Sequence, residues 1–174
     1  NGHLDLLKWA RANGAPWNQT TTRAAAAGGH TGVLMWLRHG FRSNPCPWDS
    51  GVGLEFVNHN EVGGLQWAIA NGCPTERVTN RWCRVAAMRG NFEMLRFLRS
   101  GPNPFPWDQQ VVERAAYRDK WRCVVWAVKN GCPHNAQLCL QLATNTANSD
   151  AQREDLRLEA LAARNFFEGL TVPP

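Results

Sequence analysis

The residues of this 174-residue chain that could move a proton, hold a metal or grip an anion are six cysteines, five histidines and sixteen arginines. Zinc needs thiolate and imidazole ligands at short paired spacings, and no Cys-x-x-Cys or Cys/His pattern of that kind occurs. Instead Cys46, Cys73 and Cys132 each precede a proline, and Cys83 and Cys139 share a helix position. Thiols in phase with one another read as small apolar packing residues, which suits a reducing intracellular compartment. His3 and His30 each follow a glycine in matching segments and read as turn residues, while His39, His59 and His134 fall at loops or helix ends. Acidic residues are scattered singly, and the chain has no Walker loop, Gly-x-Ser-x-Gly elbow, His-Glu-x-x-His or dinucleotide fingerprint. Neither catalysis nor a metal, cofactor or small-molecule substrate is expected.

Anion chemistry remains. Arginine outnumbers lysine sixteen to three, a bias suited to forked contacts with carboxylate or phosphate. Six arginines lie between Arg77 and Arg99 against one acid, Glu93. Arg77, Arg81 and Arg84 stand at i, i+4 and i+7, so one helix face would carry all three. Arg114, Arg118, Lys120 and Arg122 continue the excess. The expected partner-binding residues are Arg77, Arg81, Arg84, Arg114 and Arg118, with Trp121 beside them. Their partner would be an acidic protein surface or, alternatively, RNA backbone within a large ribonucleoprotein such as an organellar ribosome. The formal net charge of +5 does not separate the two. The lack of a Phe/Tyr platform disfavours base reading.

These side chains must be positioned by elements that recur. Gly2-His3-Leu4-Asp5-Leu6-Leu7-Lys8-Trp9 and Gly29-His30-Thr31-Gly32-Val33-Leu34-Met35-Trp36 are the clearest copies of one segment. Its aromatic falls at Trp9, Trp36, Trp67, Phe97 and Trp126, at intervals of 27, 31, 30 and 29. Without loop insertions the unit is about 27 residues, enough for two short helices and tight turns. Asn18, Asp49, Asp108 and Asn135 stand where a first helix should start and read as N-caps. Gly14, Gly40, Gly72, Gly101 and Gly131 read as left-handed C-caps of the second helix, with proline soon after. The repeated aromatics read as core, Trp17, Trp48 and Trp107 as wedges between units, and Trp82 as core. Trp121 fits none of these slots, which makes it the candidate for a partner contact.

The phased Gly-His-Leu-x-x-Leu-x-Trp, Asn-Gly-Cys-Pro and Ala-Ala-x-x-Gly steps resemble short, Trp-rich ankyrin-type repeats from about Asn1 to Asn145. They depart from the standard unit of about 33 residues, whose first helix opens Thr-Pro-Leu-His. The resemblance implies an all-α solenoid of stacked helix-turn-helix units, an interaction module with no catalytic residues to carry over. It also implies that the first helices line the ligand-bearing side.

The expected organisation is an array over residues 1–146, its first unit incomplete, then a C-terminal amphipathic helix and tail over 147–174. Leu158, Leu161 and Ala162 form one stripe of that helix, with Leu156, Ala160, Ala163 and Phe167 beside it, and Ser149 is the expected N-cap. It would cap the array, or else dock Phe166, Phe167 and Leu170 into a partner. The chain begins inside a repeat, so more chain or another protein should cover its open flank. No long apolar run is present, and no membrane span is expected. The function expected is that of a non-catalytic protein–protein interaction scaffold.

Overall fold

The computed structural model describes residues 2–40, 44–75, 80–149 and 153–171. Among them it contains eleven α-helices and no strand. These are α1 (Leu4–Ala12), α2 (Gln19–Ala27), α3 (Thr31–His39), α4 (Ser50–His59), α5 (Val62–Ala70) and α6 (Arg81–Arg89). There follow α7 (Phe92–Arg99), α8 (Gln109–Ala116), α9 (Trp121–Lys129), α10 (Ala136–Ser149) and α11 (Glu154–Thr171). The protein is all-helical. It divides into two compact units, Asn1–Val78 and Thr79–Pro174. The expected change of character near residue 146 falls inside α10.

Helix starts follow the local chemistry of the sequence. Asn18 accepts from Thr20 N–H and forms a capping box with Thr21. Asp49 accepts from Gly51 N–H, and Asn135 from Leu138 N–H. The tight turns between paired helices share a left-handed residue: Gly29 (φ 69°), Asn60 (59°), Gly90 (77°) and Asp119 (56°). Asn and Asp are the non-glycine residues that enter this region most readily, which explains the substitution. At the other helix ends, Gly72 and Gly131 are left-handed, and the next N–H reaches back to Ala68 and Ala127 respectively. Gly40 differs from expectation. Its φ is −66°, because its N–H bonds Trp36 O and the helical path continues through it.

Burial corrects the core assignment. In the first unit the sealed residues are Leu34, Leu37, Val52, Phe56, Val57 and Leu65. In the second they include Leu95, Leu98, Val111, Val112 and Val124, with paired alanines such as Ala86–Ala87 and Ala115–Ala116 that let helices approach closely. The repeated aromatics Trp36, Trp67, Phe97 and Trp126 are only half-buried, and Trp9 is 64% exposed. The reason is rotational. Leu34 and Leu37 share the apolar face of α3, whereas Trp36 is turned about 100° away from Leu37, onto the flank facing the loops. Trp82 is core, as expected, at 1% exposure.

In the second unit α11 packs on α10 and α9. Its buried stripe is Ala160, Ala163 and Phe167, the residues beside the expected one, while Leu158 and Leu170 are exposed. Ser149 closes α10 instead of capping α11, which begins at Glu154. All six cysteines are buried, and none is joined in a disulfide. Burial pushes the Cys83 and Cys132 thiols up to about 12, and those of Cys46, Cys123 and Cys139 to about 11. They are therefore protonated, inert packing groups at neutral pH. No described helix is long and apolar enough to cross a membrane.

Candidate functional site

The arginines separate into those consumed by the fold and those left on its surface. Three are consumed in one repeated clasp. Arg11, Arg38 and Arg99 each stand two residues after the repeated aromatic of their helix. Each guanidinium lies over the indole of the following loop: Arg11 over Trp17 at 4.1 Å, Arg38 over Trp48 at 4.3 Å and Arg99 over Trp107 at 3.9 Å. Each also donates to the carbonyl two residues before that tryptophan, on Ala15 (3.0 Å), Cys46 (2.7 Å) and Phe105 (2.5 Å). The loop indole then meets the next second-helix tryptophan edge-on. Trp17–Trp36, Trp48–Trp67 and Trp107–Trp126 have centroids 6.0, 5.9 and 6.1 Å apart and interplanar angles of 72°, 70° and 69°. Cation–π and edge-to-face contacts each contribute roughly 0.5–1.5 kcal/mol.

A second use also repeats. Arg23 forks onto Asp49, and Arg84 onto Asp108 through Nε–Oδ1 (3.1 Å) and Nη2–Oδ2 (2.5 Å). In each pair a first-helix arginine grips the carboxylate that opens the next first helix. Asn80 adds a bond to Asp108 Oδ2 at 2.5 Å. The hydrogen bond from Arg84 holds the Asp108 carboxyl below the ordinary carboxylate range, and Arg23 does the same to Asp49.

The expected site residues fare unequally. Arg77 lies outside the described residues. Arg81, Arg84 and Arg114 come together around a depression of about 360 Å³ with Asn80, Val85 and Met88. Arg84 there is already neutralised by Asp108. Arg81 and Arg114 are exposed, and neither has an ion-pair partner among the described residues; Arg114 meets only the Gln110 amide oxygen, at 3.3 Å. Arg118 is exposed just past the end of α8 and does not line the depression.

Trp121 corrects the sequence expectation. It is 1% exposed and cannot present its face to a partner. As the first residue of α9 it lies in the same turn as Cys123 and Val124, both sealed, and it is held with them in the core beneath an apolar groove of about 430 Å³. Its Nε1 is buried without a hydrogen-bond partner among the described residues.

Met88 was not singled out in the sequence, although it follows Arg84 by four residues and so had to share its face. Exposed Tyr117, beside Arg118, is a second residue that sequence reasoning passed over. Among the described residues no group of three or more His, Cys, Asp or Glu side chains could hold a metal ion. No protein-family model, curated protein sequence or solved structure matches this chain.

Proposed function

We propose that this protein is a non-catalytic interaction scaffold, a stack of ankyrin-like helix pairs that receives an acidic segment of a protein partner at the Arg81–Arg84–Arg114 depression. One observation carries the reading. Arg81 and Arg114 are exposed cations without a carboxylate partner among the described residues, set beside apolar Val85 and Met88 in one recess. Arginine is the cation best suited to an interface, because its planar fork binds carboxylate bidentately and is weakly hydrated. The apolar floor favours a polypeptide over a phosphate backbone, since RNA offers phosphates and sugars where a protein offers aliphatic side chains next to its acids. Arg118 and Tyr117 extend the surface past the end of α8. Within each unit, the regular pairing of short helices and the clasps that recur between them support a stacked architecture.

Affinity capture with the tagged native chain tests the reading, with nuclease-treated and untreated halves compared between wild type and Arg81→Gln/Arg114→Gln. A nuclease-resistant set of proteins, lost in the double variant at an unchanged melting temperature, is the supporting result. Capture that nuclease abolishes would replace the protein partner with RNA. Capture indifferent to the double substitution would remove the depression from the function.

A further inference from the structure

The clasp has a receiving slot on α1 that nothing in the described residues fills. Trp9 occupies the position held by Trp36, Trp67, Phe97 and Trp126 in later copies. Trp36, Trp67 and Trp126 each receive the edge of a loop tryptophan, whereas Trp9 is 64% exposed. One turn earlier, Leu6 is 61% exposed, while its counterparts Gly64, Met94 and Cys123 are buried and Val33 is half-buried. Gly64 identifies what normally faces this position. A Cβ there would come within 2.4 Å of Phe56, on the first helix of the same pair. The register of α1 is secure, because Gly2 (φ 60°) repeats the left-handed turn of Gly29 (φ 69°).

We propose that the Leu6–Trp9 face of α1 is a docking surface for one further helical unit of this kind, a helix preceded by an arginine-backed Pro-Trp loop. The identity of the slot residues points to that occupant. Where the preceding loop carries tryptophan, the receiving residue is tryptophan; where it carries Thr75, the receiving residue is Phe97. Trp9 is therefore matched to a tryptophan donor. A second folded copy cannot supply one, since Trp17, Trp48 and Trp107 are each already held between an arginine and an indole. The occupant brings its own unengaged loop.

The test extends the intact chain by duplicating residues 1–27 ahead of Asn1, which continues the register and offers the copied Arg-Pro-Trp loop and α2 to α1. In the native chain, Trp9→Ala should leave the urea unfolding midpoint unchanged. In the extended chain the same substitution should lower it. Replacing the copied loop tryptophan should lower it equally, and the two together should cost no more than either alone. Equal insensitivity to Trp9→Ala in both chains would overturn the proposal. Should the extension fail to fold, 5-fluorotryptophan labelling of the native chain still decides. A Trp9 fluorine resonance with a full solvent-isotope shift fits an open slot, and a protected one contradicts it. A concentration-dependent dimer of the native chain that Trp9→Ser abolishes would also overturn it, by making a second copy the occupant.

Discussion

Two kinds of loop follow the second helices of this protein. Those after α1, α3 and α7 carry Trp17, Trp48 and Trp107, and the helix before each supplies Arg11, Arg38 or Arg99. The loops after α5 and α9 carry Thr75 and His134 at the matching position, and their helices carry Ile69 and Val128 where the arginine would be. Arginine and tryptophan thus appear together or are absent together. An arginine on a helix flank without an aromatic face or carbonyl to hold it would add a hydrated charge beside a packing surface and little else. The difference teaches how to count cations in this chain. Three of its arginines belong to the clasps, Arg23 and Arg84 fork onto carboxylates, and Arg96, Arg122 and Arg164 pair with Glu93 or Glu168, so the basic character available to a partner is much smaller than the composition suggests.

The comparison can be broken at the core, at the loops or at the ion pairs, in falling order of effect. Trp82→Ala, which empties a sealed site against the Phe105 ring, should cost about 3–5 kcal/mol in a denaturant titration. Trp36→Ala should cost less, because Trp36 is half-buried on the helix flank; a larger loss there would restore it to the core. Trp107→Ala should cost about 2 kcal/mol by losing its cation–π and edge-to-face contacts. Thr75→Ala, at the matching place in an unclasped loop, should stay within about 0.5 kcal/mol. Equal losses at the two positions would dissolve the distinction between the loops. Asp108→Asn should cost under about 1 kcal/mol, since the pair with Arg84 is partly exposed. Because the folded-state carboxyl of Asp108 is depressed, its contribution is complete above the ordinary value of 3.8 and is lost as pH falls through the lower folded value. Wild type should therefore lose stability more steeply than Asp108→Asn below pH 3.8, and the two should run parallel above it.

Much of the local structure could be read from the residues. Asn18, Asp49 and Asn135 cap helices as their chemistry dictates, and the phased glycines fall at turns with the exception of Gly40. The clasp was harder to see because the loops differ in length. Arg11 precedes Trp17 by six residues, Arg38 precedes Trp48 by ten and Arg99 precedes Trp107 by eight, so no fixed spacing betrays the pairing. Its signal lay in the joint absence of both residues from two copies. Arg84 read as a free cation because its carboxylate, Asp108, lies 24 residues away and approaches only through the packing of α6 on α8. Trp121 read as a partner contact because its sequence neighbours are charged. Arg122 is exposed and Lys120 is half-buried against Gly90, while the indole between them turns inward. Helix periodicity separates adjacent residues by about 100°, and flanking charge says nothing about the residue between.

The division of the arginines is tested most directly by the urea unfolding midpoints of Arg99→Gln and Arg81→Gln at neutral pH. Arg99 lies over Trp107 and bonds Phe105 O, whereas Arg81 stands exposed without an ion-pair partner among the described residues. Arg99→Gln should lower stability by about 1–2 kcal/mol. Arg81→Gln should change it by less than about 0.5 kcal/mol, leaving that side chain available for binding. Equal losses, or a larger one at Arg81, would contradict the division and with it the surface assigned to the partner.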